Sequence, residues 1–250
     1  MKSIVVANWK MNPVSMKEAK KLFDATKKAA DGAKNVTVIV APPALFLREL
    51  RGAYKGKKLS FALQNAHFEQ SGAYTGENSL TQADDAKIEY VIVGHAERRA
   101  AGETNEDTGK KVSAALALKM TPILCVGEAT RSHNGEHFDF VREQLATALA
   151  QVPPAKLGKL LIAYEPVWAI GASTPMAPRD MHEMGIFIRK AIVDQHGQAG
   201  MNIRILYGGS IDATNAVEML HEGDVMGFVL GRASYDAQKF SLLMKVLSDA

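Results

Sequence analysis

The sequence contains a single cysteine, Cys125, so no disulfide can form within the chain of 250 residues. A chain with so little cysteine fits a reducing compartment, and we therefore expect a cytoplasmic protein. The seven histidines are dispersed, and none stands at the spacing of a metal-ligand cluster. A glycine-rich dinucleotide fingerprint and a serine nucleophile with its own base are also absent. The sequence therefore predicts neither a metal nor a cofactor.

Long apolar runs and an excess of one charge are absent as well. No apolar run approaches the roughly 18 residues that a membrane span needs, and a strand-like segment follows the first three residues directly, so we expect neither a spanning helix nor a signal peptide. The 30 basic and 27 acidic residues leave a net charge of +3, and the basic residues are scattered. Nucleic acid and anionic membranes are therefore not expected as partners, whereas a small anionic substrate needs only a few charges.

Short apolar segments alternate with amphipathic helical segments along the whole chain. The apolar segments lack a period of two, which is typical of parallel strands that are buried on both faces. They cover residues 4–7, 36–40, 59–64, 90–93, 122–126, 160–164, 203–207 and 227–230. Eight such β-then-α units without a linker predict an α/β fold, a (β/α)8 barrel that forms a single domain over residues 1–250. A doubly wound sheet is the alternative that this pattern leaves open.

Glu165 stands where the sixth strand-like segment ends, and Pro166 follows it at once. Proline disfavours the α region for the preceding residue, so the carboxylate should project from an extended strand end. A loop with apolar anchors and a glycine comes next, before a helical pattern begins near residue 178. An acid on a rigid strand end beside a loop that can close over it suits a general base under a lid. An ordinary surface glutamate before a turn is the other interpretation.

Polar residues follow other strands at the end that forms the active face of a barrel. Asn8 and Lys10 follow the first strand on one side of the chain, and His95 follows the fourth. Glycine-rich turns at 208–210 and 231–234 follow the last two strands, where barrels commonly bind phosphate through backbone N–H groups. Each feature alone is more often a solvated cation or a turn residue than part of a site. Together they favour proton transfer on a small phosphorylated carbonyl compound.

Five motifs in this order resemble those of the triosephosphate isomerase family, and the match runs from end to end. They are Asn8-Trp9-Lys10-Met11-Asn12, Cys125-Val126-Gly127-Glu128, residues 163–171, Tyr207-Gly208-Gly209-Ser210, and Gly231 with Ala233-Ser234. The resemblance implies a TIM barrel that interconverts dihydroxyacetone phosphate and D-glyceraldehyde 3-phosphate through an enediolate, in glycolysis and gluconeogenesis. It implies no metal and no cofactor.

The same resemblance implies the roles of individual residues. Glu165 would move the proton between two carbons, and His95 would act as a neutral imidazole on the enediolate oxygens. Lys10 would supply positive charge and Asn8 a hydrogen bond, while Glu97 would support the site from behind. The backbone N–H groups that would hold the phosphate belong to Gly171, Ser210, Gly231 and Arg232.

A lid and a homodimer are also implied by the resemblance. The lid would consist of Pro166, Val167, Trp168, Ala169, Ile170, Gly171, Ala172, Ser173, Thr174, Pro175 and Met176. The loop around Thr75 would insert into a twofold partner and complete the partner's site near Lys10. A flexible, exposed excursion is the alternative for that loop.

Several residues depart from the family pattern near the lid. Ala96 replaces a serine whose hydroxyl would hold Glu165 when the lid is open. Ala172 and Ser173 lack the usual groups of the lid tip, which we expect to weaken the closed lid. Pro175 restricts the second hinge because its φ is fixed. Ala177 replaces the usual N-cap before Pro178, at a cost of roughly 1 kcal/mol.

Two further departures lie near the phosphate turns. Arg232 replaces a glycine, and a φ above zero there would strain the backbone by about 1–2 kcal/mol. Met226 replaces a common aspartate, so we expect Arg189 to lack its family partner. No acid, base or electrophile is lost, and the sequence therefore predicts an active enzyme with altered lid behaviour.

Two other functions stay open from sequence alone. A Schiff-base aldolase or isomerase barrel would need a lysine inside the barrel at a strand end, and the later strands offer none. A phosphate-binding barrel with an impaired lid and little or no isomerase activity is favoured by Ala96, the lid tip and Arg232.

Overall fold

The computed structural model describes residues 2–131, 134–172 and 175–250. Eight parallel strands form a closed barrel in chain order, and the last strand pairs with the first. The strands are β1 Ser3–Asn8, β2 Val36–Ala41, β3 Leu59–Leu63, β4 Tyr90–Val93, β5 Thr121–Val126, β6 Leu161–Tyr164, β7 Arg204–Tyr207 and β8 Gly227–Leu230. The predicted (β/α)8 barrel is confirmed, with each strand within one residue of its predicted ends. A doubly wound sheet would leave open edges, so that alternative is wrong.

Helices cover the outside of the barrel. They are α1 Met16–Gly32, α2 Ala44–Ala53, α3 Leu80–Asp85, α4 Ala96–Ala100, α5 Asn105–Ala117, α6 Glu136–Leu149, α7 Pro178–His196, α8 Ala216–Glu222 and α9 Ala237–Asp249. Among the residues described, no helix is long and apolar enough to cross a membrane.

The helices that sequence periodicity missed or misplaced are short. Periodicity did not reveal α3 and α4, because five or six residues hold too little apolar periodicity to register. The sequence pattern predicts the helix before β8 over residues 213–220, whereas α8 covers Ala216–Glu222. The preceding residues form a side-chain-bonded turn, in which the Asp212 Oδ1 accepts from the N–H of Thr214 at 2.8 Å.

The strands are buried on both faces, which explains why the sequence shows no alternation. Ile4 and Val6 belong to the apolar cluster that fills the barrel interior. Val5 and Ala7, the alternate residues of β1, belong to the larger cluster that also contains the inward faces of the helices. Two apolar layers therefore fix the barrel, and its polar groups are confined to the strand ends.

Barrel closure depends on a glycine at the junction of β8 and β1. Gly227 has a φ of +147°, and a Cβ added there would overlap the carbonyl oxygen of Ile4. Ile4 and Gly227 are also register partners in the closing pair of strands. Only glycine has both the freedom and the space that this position requires.

We predict that Gly227→Ala lowers the free energy of unfolding by roughly 3 kcal/mol, because overpacking against backbone adds to a strained φ. The matched control is Gly52→Ala in α2, where an added Cβ meets nothing within 4 Å. That change should be neutral or stabilise by up to about 1 kcal/mol through helix propensity. Urea unfolding curves of both variants measure the difference, and equal midpoints would contradict this account of closure.

Candidate active site

The carboxyl ends of the strands bring the predicted site residues to one cavity of about 680 Å³. Asn8 ends β1, His95 follows β4 and Glu165 follows β6. The turns after β7 and β8 form the opposite wall, and the lining includes Asn8, Lys10, His95, Glu165, Gly171, Ser210, Gly231 and Arg232. Glu97 does not line this cavity, but its carboxylate contacts Lys10 from behind.

Lys10 is held in an unusual backbone conformation, with a φ of +52°. Its N–H donates to the Oδ1 of Asn8 at 3.0 Å, and its carbonyl accepts from the Nε2 of Gln64 at 2.8 Å. Gln64 donates equally to the carbonyl of Ala41, so it joins the ends of β1, β2 and β3. The Nζ of Lys10 lies 2.5 Å from the Oε1 of Glu97. Because a positive φ is uncommon outside glycine, we attribute the lysine's position to these neighbours.

Sequence reasoning missed Gln64 as a site residue. The available signal was its place directly after the third strand, at the same end as Asn8 and Glu165. A glutamine in that place is as common in turns as in sites, so spacing alone did not distinguish it.

His95 is buried at the N-cap of α4, and its protonation state follows from its partners. Its Nδ1 accepts from the backbone N–H of Glu97 at 3.1 Å. A ring nitrogen that accepts carries no proton, so this bond favours a neutral imidazole with the proton on Nε2. The Nε2 faces the Oε1 of Glu165 at 3.5 Å. The ring therefore presents an N–H donor to the cavity.

The carboxylate of Glu165 is almost fully buried and is held by backbone. Its Oε2 accepts from the N–H of Ala96 at 3.1 Å. We expected Ala96 to leave this carboxylate without its holding group, but the main chain of the same residue supplies a donor. Gly208 leaves room for the side chain, since a Cβ there would lie 2.6 Å from the Cγ of Glu165.

A buried cysteine and a partly buried arginine lie close to the carboxylate. Burial, together with the neighbouring Glu165, raises the pKa of the Cys125 thiol well above its ordinary value. Arg99 donates to the carbonyl of Gly94 at 2.7 Å and to that of Cys125 at 3.2 Å, joining the ends of β4 and β5. Burial lowers the pKa of the Arg99 guanidinium. The carboxylate of Glu165 therefore lies against hydrogen-bonded strand ends and is largely shielded from water.

The first part of the predicted lid is attached to Glu128. This carboxylate accepts from the Tyr164 hydroxyl at 2.8 Å and from the Nε1 of Trp168 at 2.9 Å. Burial and the adjacent carboxylate raise the pKa of Tyr164. Pro166–Ala172 and Pro175 belong to the described structure, whereas the lid-tip predictions for Ser173 and Thr174 fall outside the described residues.

The departures around the second hinge have different outcomes. Ala177 provides no side-chain hydrogen bond to the start of α7, as predicted. Met226 leaves Arg189 without a carboxylate at the position where its family partner was expected, but another acidic residue pairs with the arginine. The Nη1 of Arg189 lies 3.0 Å from the Oδ2 of Asp224, which replaces the missing carboxylate from two positions earlier in the chain.

The glycine-rich end of the cavity is formed by turns of different character. Gly171 has a φ of +69°, whereas Arg232 does not have a positive φ, so the predicted backbone strain at Arg232 is absent. The Nη2 of Arg232 donates to the carbonyl of Gly171 at 2.7 Å. The hydroxyl of Ser234 donates to the carbonyl of Asn8 at 2.9 Å and so joins the β8 turn to β1.

A closed barrel with a carboxylate, a neutral imidazole and an ammonium group facing glycine-rich turns defines an isomerase-type site for a small phosphorylated substrate. Comparisons with known proteins agree with this class. The family model described as triosephosphate isomerase matches residues 3–247. The chain is 38% identical to the triosephosphate isomerase of Endomicrobium trichonymphae over 98% of both chains. It is also 38% identical to that of Alkaliphilus oremlandii (strain OhILAs), over 96% of this chain and 97% of the relative. The chain belongs to the triosephosphate isomerase family.

We predict that Cys125 resists thiol reagents in the native protein, because its thiol is buried and its raised pKa keeps it protonated. Titration with a disulfide reagent at pH 8 should label less than a tenth of the protein in the time that labels an exposed thiol fully. The same sample in guanidinium chloride should react completely and serves as the control. Native-state labelling at the unfolded rate would contradict the burial of this thiol.

Proposed function

We propose that this protein interconverts dihydroxyacetone phosphate and D-glyceraldehyde 3-phosphate, as a cytoplasmic enzyme of glycolysis and gluconeogenesis that works as one domain. The observation that carries the proposal is the convergence of Glu165, His95 and Lys10 on one cavity. The glycine-rich turns opposite them offer backbone donors for a phosphate. The family membership gives the same reaction. The three reacting groups are all present, so nothing favours a barrel that only binds phosphate.

Glu165 is the base in this proposal. One of its oxygens is held by the Ala96 N–H, and the other faces the imidazole of His95. The carboxylate removes a proton from C1 of dihydroxyacetone phosphate. The C–H bonding pair forms the C1–C2 double bond, and the carbonyl electrons move to O2. Return of the proton to C2 gives the aldose.

The negative charge that forms on the enediolate needs donors that are already in place. The Nε2–H of His95 points into the cavity and can serve O1 and O2, between which one proton must also pass. The ammonium of Lys10, positioned by Glu97, adds a positive charge. The Oδ1 of Asn8 already accepts from Lys10, so the amide nitrogen of Asn8 is the group that remains to donate.

The phosphate is bound in this proposal by backbone N–H groups. Gly171, Ser210, Gly231 and Arg232 line the same end of the cavity. N–H groups in turns of this kind bind anions without adding a titratable charge. Support comes from Gly231, where an added Cβ would approach the Cε of Lys10 to 3.3 Å. The lysine therefore lies beside the turn and contributes to the potential at the phosphate.

We expect Glu165→Gln to lower kcat/KM for glyceraldehyde 3-phosphate by roughly a thousandfold, since an amide cannot accept the proton. The matched control is Glu143→Gln on the exposed face of α6, which makes the same chemical change away from the cavity. A coupled isomerase assay of the purified proteins makes the measurement. Wild-type turnover no faster than that of the Glu165 variant would refute the proposed reaction.

We also propose a homodimer in which the loop around Thr75 inserts beside the Lys10 of the partner subunit. Residues 69–77 are exposed throughout. Met11, next to Lys10, is 90% exposed, and so is Leu45 at the start of α2. A partner surface would cover these large apolar side chains, and this supports the proposal. A second cavity of about 240 Å³ beside Lys10, Gln64 and Glu97 offers a place for the inserted loop.

Met11→Glu should raise the dimer dissociation constant by tenfold or more, because it places a charge in a buried apolar contact. Met201→Glu, at a residue that is 53% exposed between α7 and β7, is the matched control and should leave association unchanged. Light scattering after gel filtration over a range of concentrations measures both. A wild-type protein that stays monomeric at tens of micromolar, or equal effects of the two changes, would contradict the dimer.

A further inference from the structure

Arg232 carries a long charged side chain at the end of the cavity where the proposal places the phosphate, close to Gly171 and Gly231. It follows Gly231 and begins a short 3-10 helix that ends at Tyr235. Its φ is not positive, so the side chain is accommodated without backbone strain. The backbone of this turn therefore accommodates an arginine at position 232.

The guanidinium connects two turns that both line the cavity. Its Nη2 donates to the carbonyl of Gly171 at 2.7 Å. A Cβ on Gly171 would lie 3.4 Å from the same nitrogen, so the guanidinium runs alongside that backbone. Lys10 lies beside Gly231, since a Cβ on that glycine would approach the lysine Cε to 3.3 Å. Two cationic side chains therefore lie beside the glycine turns of this cavity.

The positive charge of Arg232 is not neutralised within the described part of the chain. No carboxylate of the described residues lies within 4.0 Å of its guanidinium. Asp212 lines the same cavity but does not pair with Arg232. It is exposed, and hydrogen bonds from Thr214 lower the pKa of its carboxyl group. A guanidinium has five N–H donors and cannot be deprotonated, and one hydrogen bond leaves most of them for an anion.

We propose that the Arg232 side chain is a specificity-determining donor that binds the phosphate dianion in addition to the backbone N–H groups. The inference rests on the proposed function, since it concerns the substrate's phosphate in that site. A guanidinium pairs with phosphate through charge-assisted hydrogen bonds that are roughly twice as strong as neutral ones. The same side chain positions Gly171, another phosphate-binding residue. Selection for a phosphorylated over an unphosphorylated triose therefore depends on Arg232.

The test compares Arg232→Met, Arg232→Lys and Arg204→Met. Arg204 is the matched control, because its Nη2 also donates to a glycine carbonyl, that of Gly158 at 3.1 Å, at the opposite end of β7 from the cavity. Three measurements are made on each protein. Calorimetry gives the Kd of inorganic phosphate at low and high salt, and kinetics gives kcat and KM for glyceraldehyde 3-phosphate. Deuterium exchange at C2 of unphosphorylated glyceraldehyde reports the chemistry without the phosphate.

Arg232→Met should weaken phosphate binding by roughly tenfold or more and should reduce its salt dependence, because a charged donor is lost. The KM for glyceraldehyde 3-phosphate should rise, while exchange on unphosphorylated glyceraldehyde stays within about threefold of wild type. Arg232→Lys should recover part of the affinity, since charge is kept and the planar fork is lost. Arg204→Met should match the wild type.

Two results would overturn the inference. One is phosphate affinity of Arg232→Met within about twofold of wild type. The other is an equal loss with phosphorylated and unphosphorylated substrate, which would assign Arg232 a purely structural role. A wild-type protein that binds phosphate through Arg232 but does not isomerise the triose would refute the proposed function and support this inference.

Discussion

The meeting of eight parallel strand ends at one rim is the constraint on which the rest of the structure depends. β1 and β8 close the barrel through Ile4 and Gly227, and this closure brings Asn8 near turns more than 200 residues away in sequence. Parallel strands leave their last carbonyl and N–H groups outside the ladder, where other groups must satisfy them. The hydroxyl of Ser234 bonds the carbonyl of Asn8 for that reason. The unpaired backbone groups at the strand ends therefore require polar partners at the rim, whether or not those partners take part in catalysis.

The reacting groups are positioned mainly by main-chain hydrogen bonds. Backbone N–H groups hold the carboxylate of Glu165 and the imidazole of His95, and the amide of Gln64 holds the carbonyl of Lys10. The two backbone contacts survive substitution of the residues that provide them, whereas the contact from the Gln64 side chain does not. This explains why Ala96, which lacks a hydroxyl, still holds the base. The departures from the family pattern therefore leave the acid–base geometry in place and change its surroundings.

The fold was predictable because burial on both faces of every strand leaves a strong pattern in the sequence. The site was predictable as a set of strand-end residues, and the resemblance supplied their roles. What sequence did not show depends on three-dimensional neighbours. Arg189 pairs with Asp224, whereas the sequence comparison had assigned its partner to position 226. The backbone of Arg232 does not adopt a positive φ. The short helices α3 and α4 hold too few residues to be recognised by period.

In the proposed site, Arg232 adds a second kind of phosphate recognition to that of the backbone N–H groups. Backbone N–H groups recognise a phosphate by fixed geometry, whereas a guanidinium carries a full positive charge on a long, flexible side chain. In the structure the guanidinium bonds the neutral carbonyl of Gly171. Hydrogen bonds between neutral groups contribute about 1 kcal/mol and those to charged groups about 1.5–3 kcal/mol. A phosphate dianion is therefore the better acceptor for a guanidinium whose other donors are still available. Gly171 and Arg232 lie on different turns, and the guanidinium of Arg232 holds the carbonyl of Gly171. A phosphate that binds the guanidinium therefore also acts on the hydrogen bond that positions Gly171. In this way, recognition of the phosphate charge is coupled to the shape of the site.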